Sequence, residues 1–305
     1  MSKSLDRLTL LETFVRISER GSISAAARDL GLSQASASRQ LSDLEDRLGV
    51  QLISRTTHSL ALTSAGEACL ESARDQLGAW EMLTERFAGE AEAMKGVLRV
   101  VAPVALGQTV LADAVAAFQQ SWPDVQIEWI LDDDVIRFSR MGCDLWIRVG
   151  PVPDDRLVVR PVISVRRILA ATPDFRGVAG SQKISDLSRF PFAALAPFEA
   201  GKVPLMDAEG RRKSLHARPA LLTNNIAAIL RSVRSGHTYA VLPEWLIRQD
   251  LETGDLVRLA PNWRAPDLAI NIAYAPASRQ SLRLRRFAAV MSDKLESLSK
   301  LQSAT

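Results

Sequence analysis

Gln34, Ser38 and Arg39 lie within a six-residue span, and each carries a side chain able to read nucleic acid. A Gln amide can pair with adenine N6 and N7, and an Arg guanidinium with guanine O6 and N7 or with a phosphate. Ser33 and Ala35 flank the first of them. A second grouping follows in Ser54-Arg55-Thr56-Thr57-His58-Ser59, where Arg55, Thr56, Thr57 and His58 make a cationic, hydroxyl-rich run suited to phosphate oxygens. Groupings that would do covalent chemistry are missing. There is no GxGxxG opening a helix, no GxxxxGK[ST], no HExxH and no GxSxG. The three histidines, His58, His216 and His237, stand apart from cysteines and paired carboxylates. Asp132-Asp133-Asp134 could suggest a metal, but three consecutive acids do not share a face, and a solvated loop is the expectation. No catalytic residue, metal or cofactor is expected.

The elements that must position the reading residues are short helices. Ser22 to Leu30 predicts a helix capped by the Ser22 hydroxyl, with Ala26, Ala27 and Leu30 turned inward. Gly31-Leu32-Ser33 breaks it, with Gly31 in a left-handed position and Ser33 capping a second helix to about Leu48. Its inward stripe is expected to be Ala37, Leu41, Leu44 and Leu48, which leaves Gln34, Ser38 and Arg39 on the other face. Two helices joined by a Gly-containing turn form a helix-turn-helix, whose second helix enters the major groove. An ordinary amphipathic helix with a solvated polar face is the alternative. The segment that follows favours DNA: Gly49 ends the helix, and Leu52-Ile53 and Leu60-Ala61-Leu62 predict a hairpin around the cationic tip, as in a winged helix. A first helix over Asp6 to Arg20, with Leu8, Leu11, Phe14, Val15 and Ile17 inward, is expected to pack beneath.

Charge alone would not reveal this module. Residues 1–62 hold eight Lys/Arg against seven acids. A near-neutral head should bind DNA weakly alone and gain affinity from dimerisation. Thr63 or Ser64 then caps a long helix to about Ala93. Leu70, Ala73, Leu77, Trp80, Thr84, Phe87 and Ala91 alternate by three and four, the spacing of a coiled-coil seam. A dimer seam is favoured over packing on the chain's own domain. Seven acids against two arginines keep this helix off DNA.

From Gly96 the pattern changes to strands alternating with helices: Val97 to Ala102, a helix Gly107 to Gln120, then strands Val125 to Leu131 and Asp144 to Val149, as βαβ units on a parallel sheet. A further α/β block runs from about Val165 to Pro266, with a helix Asn225 to Ser235. Leu268 to Tyr274 reads as a strand and Leu282 to Leu301 as a helix. Ligands in such sheets sit beyond strand carboxyl ends, near helix N-termini. Ala102, Pro103 and Val104 mark one such place, and Thr223 and Asn224 the other. Simple helix capping is the alternative at both. Residues 93–305 carry a basic excess of about seven, and a small organic anion held by those backbone donors is the expected effector. Arg279, Arg283, Arg285 and Arg286 are expected to be a solvated helix face.

The run Ala26-Ala27…Leu30-Gly31-Leu32-Ser33-Gln34…Ser38-Arg39-Gln40-Leu41…Leu44-Glu45…Leu48-Gly49-Val50-Gln51-Leu52…Arg55…Leu62-Thr63…Ala65-Gly66 resembles the N-terminal signature of LysR-type transcriptional regulators. The resemblance covers about the first ninety residues. Ala35 stands where a Pro is frequent and His58 where the wing often has Arg, which bears on the preferred DNA sequence. Asp144 to Gly150 and Ser235 to Pro243 resemble the family's effector-binding domain, two subdomains joined by two crossings as in periplasmic binding proteins. That resemblance adds Arg148 and Gly150 to the effector-binding residues. It implies a winged helix-turn-helix over residues 1–62, a dimerising linker helix over 63–93, and an α/β effector domain over 94–305. Subdomain I would take about 94–164 and 267–305, and subdomain II about 165–266. The implied partners are double-stranded DNA, a small-molecule effector and further copies of the chain, as a homodimer or homotetramer.

A chain of 305 residues is long enough for two or three domains. It has no apolar run of membrane-spanning length and no signal-peptide pattern. Its two cysteines, Cys69 and Cys143, have no metal-ligand spacing, which together predicts a cytoplasmic protein. An enzyme and an architectural DNA-bending protein are the rival readings; bending DNA needs no ligand cleft.

Overall fold

The computed structural model describes residues 6–55, 60–87, 93–175, 184–198, 201–276 and 281–303. The head begins with α1 (Arg7–Arg20), α2 (Ile23–Asp29) and α3 (Gln34–Leu48). Each boundary has a local cause. Ser22 accepts from the Ala25 N–H and Ser33 from the Ser36 N–H, satisfying donors that a helix start leaves orphaned. Gly31 and Gly49 take the left-handed conformations that turn the chain out of α2 and α3. A two-stranded hairpin follows, β1 (Ile53–Arg55) with β2 (Leu60–Leu62). Then comes α4 (Ser64–Phe87), capped by Thr63, whose hydroxyl accepts from the Gly66 N–H.

Several inward faces differ from expectation. Leu10 is sealed in α1, while Leu8 and Leu11 are only half-buried. In α3 the stripe is Ala37, Gln40, Leu41 and Leu44; Leu48, in the last turn, is exposed. The largest difference concerns α4. Leu70 and Ala73 complete the head's own core beside Leu10, Phe14, Ile17, Leu41 and Leu52, so the first half of the expected dimer seam packs within its chain. Trp80, Leu83 and Phe87 are exposed, Phe87 to 84%. Ala91 lies outside the described residues.

The remainder forms a large mixed sheet with helices on its faces, and a separate two-stranded hairpin. Its elements are β3 (Gly96–Ala102), α5 (Val104–Thr109), α6 (Ala112–Ser121), β4 (Val125–Leu131), α7 (Phe138–Met141), β5 (Leu145–Val149) and β6 (Val158–Ala171). There follow α8 (Ile184–Leu187), β7 (Phe192–Leu195), β8 (Lys202–Met206), β9 (Arg212–His216), β10 (Pro219–Thr223) and α9 (Ile226–Arg234). The chain ends with β11 (Tyr239–Pro243), a 3₁₀ turn Glu244–Leu246, α10 (Arg248–Thr253), β12 (Val257–Leu259), β13 (Ala265–Tyr274) and α11 (Leu282–Ser303). The single helix expected from Gly107 to Gln120 is two, since the Leu111 N–H turns back to the Leu106 carbonyl and buries Leu111.

The strand order is β10-β7-β11-β6-β13-β5-β3-β4, with β12 pairing on β6. Parallel strands lie at both ends, as βαβ units require, but the middle is antiparallel. There β6 and β13 are the two crossings between lobes. One lobe buries Val100, Leu111, Phe118, Leu145, Ile147 and Phe287. The other buries Leu169, Phe192, Leu205 and Tyr239, with Ile229, Val233 and Leu242 on its second face.

Candidate nucleic-acid interface and inter-lobe cleft

The first turn of α3 stands in solvent. Ser33, Gln34, Ala35 and Arg39 are exposed and Ser38 is half-buried, on the side opposite Ala37, Leu41 and Leu44. Two polar residues that carried no expectation fix the helix behind that face. The Thr13 hydroxyl of α1 donates to the buried Gln40 carbonyl oxygen at 2.5 Å, tying α3 to α1. The Glu45 carboxylate accepts from the Leu52 and Ile53 N–H groups at 2.7 and 3.1 Å, so an acid of the recognition helix is turned onto the hairpin. Arg55 closes β1. Thr56, Thr57 and His58, the expected phosphate contacts of the wing, lie outside the described residues. Gly66 permits the hairpin to meet α4 closely, because a Cβ there would overlap the Leu52 carbonyl.

The second candidate site lies where β3 and β4 of one lobe face β10 and α9 of the other. Ala102 is buried at the end of β3, and Pro103 and Val104 lead into α5. Several donors at this place are already taken. The Val104 N–H donates to Asp133 at 2.9 Å. From the opposite lobe, the Asn225 amide donates to Asp133 at 3.1 Å and the Asn224 amide to Asp134 at 3.2 Å. Asp132-Asp133-Asp134 is therefore not a plain solvated loop; it caps α5 and bridges the lobes. Asn225 also caps α9, accepting from the Ala228 N–H. Thr223 accepts from the Asn225 N–H. Arg148 donates to the Asp134 and Pro151 carbonyls and lies over the Trp146 ring. Gly150 is buried, its carbonyl accepting from the Asn271 amide. Of the expected effector residues, Ala102, Pro103, Val104, Arg148, Thr223 and Asn224 thus gather around this mouth, while Gly150 follows β5 and is bonded to β13 through Ala269 and Asn271.

The electrostatics match this crowding. Burial raises the Asp133 pKa, against the lowering effect of its bonds from Val104 and Asn225. Burial lowers the Arg148 pKa, against the pull of Asp134, Asp132 and Asp133. Exposed Val135, Leu195 and Leu222 supply apolar surface nearby in the chain. The part played by Asp133, Asp134 and Asn225 was hidden because it depends on two segments ninety residues apart. Among the described residues no group of His, Cys, Asp and Glu could hold a metal, and no helix is long and apolar enough to cross a membrane. Cys69 and Cys143 are free thiols.

Comparison with known proteins identifies the two parts of the chain. Residues 8–67 match the family described as bacterial regulatory helix-turn-helix protein, lysR family. Residues 91–296 match the LysR substrate binding domain. The HTH-type transcriptional regulator PtxR of Pseudomonas aeruginosa is 31% identical over 293 residues, covering 94% of each chain. Among solved structures, a full-length OxyR variant from Pseudomonas aeruginosa superposes with a TM-score of 0.71 at 18% identity, over 94% of this chain and 96% of that one. Full-length LysG of Corynebacterium glutamicum, with bound effector Arg, gives 0.65 at 19% identity, over 95% and 98%. These two likenesses speak to the fold.

Proposed function

The chain belongs to the LysR family of transcriptional regulators, and from that premise we propose how it reads DNA and what its cleft senses. Regulators of this family bind DNA and small-molecule effectors and form oligomers; they are not enzymes. In this chain, Gln34 and Arg39 read base edges, with Ser33, Ala35 and Ser38 meeting the groove beside them. Arg55, Thr56, Thr57 and His58 grip the flanking phosphates. The observation that carries this reading is the exposed first turn of α3 above a helix locked by Thr13–Gln40 and Glu45. Titrating operator and scrambled duplexes at two salt concentrations tests it: Gln34→Ala or Arg39→Ala should lose discrimination worth roughly 1–3 kcal/mol. Unchanged discrimination would remove those residues from base reading.

The effector is a small molecule held at the mouth formed by Ala102, Pro103, Val104, Arg148, Thr223 and Asn224, taking over the bonds that Asp133 and Asp134 now make across it. An organic anion fits this mouth only if it displaces both carboxylates from their donors. Isothermal titration against a metabolite panel decides the class, and Asn224→Ala should weaken the bound compound. The protein acts in the cytoplasm as a dimer or tetramer, with Trp80, Leu83 and Phe87 meeting a second copy; their exposure on one helix supports this.

A further inference from the structure

Where α1, α4 and β3 meet, one carboxylate holds three segments together. The Glu19 carboxylate of α1 pairs with Arg74 of α4 at 3.1 Å and with Arg99 of β3 at 2.7 Å, using a different oxygen for each. The three side chains are only 9%, 18% and 14% exposed. Arg16 adds a third cation at 3.3 Å, and Arg99 also pairs with Glu128 of β4. Burial works to lower the Arg99 pKa, but pairing with Glu128 and Glu19 outweighs it and the net shift is upward. The opposing surface is shaped for this contact. Gly142 sits at φ +62°, and a Cβ there would overlap the Glu19 carboxylate and crowd both guanidinium groups. Two further pairs fasten α4 to the same lobe, Glu71 with Arg156 and Glu81 with Arg283.

We propose that Glu19 is a positioning residue: through Arg74 and Arg99 it clamps the DNA-binding head to the regulatory domain and so sets where α3 points. The proposal rests on reading residues 7–62 as the DNA-binding head. The clamp leaves the first turn of α3 exposed, so the clamped arrangement can engage DNA. Pairs held this far out of water are sensitive to the loss of either partner, because the other charge is left desolvated and alone. They also transmit displacement. A shift of β3 when the lobes move is a shift of Arg99, and the head must follow or let go.

The test uses full-length protein with Cys69 replaced by Ser and spin labels at two exposed positions, Ser42→Cys on α3 and Gln119→Cys on α6. Glu19→Gln removes the charge from the head. Gly142→Asn acts from the other side of the contact, since Asn tolerates the left-handed backbone while its Cβ occupies the carboxylate's place. The head-to-lobe distance distribution should be narrow in the unsubstituted protein and broader in both variants; a broad distribution in the unsubstituted protein would also overturn the clamp. Footprints on DNA upstream of the protein's own gene should lose their defined length, with affinity falling roughly tenfold, an ordinary size for coupling between sites. An unchanged narrow distribution in both variants overturns the clamp. Broadened distributions with no footprint even from the unsubstituted protein would uphold the clamp and count against the DNA-binding reading.

Discussion

At the scale of single residues, Asp144 shows how the same contact shapes stability. Its carboxylate accepts from the Arg99 N–H at 2.8 Å, and burial pushes its pKa up to about 6 despite that bond and the nearby Arg283. Glu81 reinforces the rise, and the Arg99 side chain opposes it. Between the ordinary carboxylate range and about 6, the folded protein keeps a proton that the unfolded chain has released. Stability should therefore fall as pH rises through that interval, by at most roughly 1.4 kcal/mol per pH unit, and show no further loss from this group above it. Asp144→Asn should remove that slope. Denaturation midpoints from pH 4 to 7 check the sign, and a slope that survives in the variant would place its origin elsewhere. The Thr13–Gln40 bond offers a second check. Thr13→Val keeps the shape of the side chain but leaves a buried amide oxygen without its donor. The expected cost is about 1–3 kcal/mol of stability, read by urea unfolding.

At the scale of elements, α4 divides along its length into a buried and an exposed half. Leu70 and Ala73 belong to the head core, whereas Trp80 and Phe87 point into solvent. Trp80→Asp should therefore yield smaller species in sedimentation with the head still folded, because a carboxylate is costly in an apolar interface. A variant that sediments like the unsubstituted protein would deny the seam. The same helix shows what the sequence could disclose. Its apolar spacing was legible, but which surface each apolar residue meets depends on the tertiary arrangement, and a period of three and four is the same for both. The caps at Ser22, Ser33 and Asn225 were legible because they act within four residues. So was the left-handed Gly31. Gln40 was not, since polarity alone gives no sign of a buried partner in α1, and Arg283 looked like a solvated residue until Glu81 came beside it. The bonds that Asp133 and Asp134 make to Val104, Asn224 and Asn225 were not legible, because two of them join segments ninety or more residues apart.

At the scale of the whole molecule, Asn224 and Asn225 bond across the lobes to Asp134 and Asp133, and those bonds should restrict the lobe geometry. Asn225→Ser separates the two roles of that residue, since Ser remains a good helix cap but cannot reach Asp133 as the amide does. The variant should melt within about 1 kcal/mol of the unsubstituted protein, yet show a wider inter-lobe distance in scattering or spin-label measurements. A distance that does not move would mean the sheet alone sets the lobe geometry. The sheet's own contribution has a further consequence. β6 and β13 share a ladder from Ala265↔Arg167 to Tyr274↔Val158, so the lobes are not two beads on a pair of strings. Neither lobe can lose its structure without tearing hydrogen bonds that the other also needs. Heating should melt residues 96–303 in a single calorimetric transition, and amide protons along those two strands should be among the last to exchange, although the lobes keep separate apolar interiors.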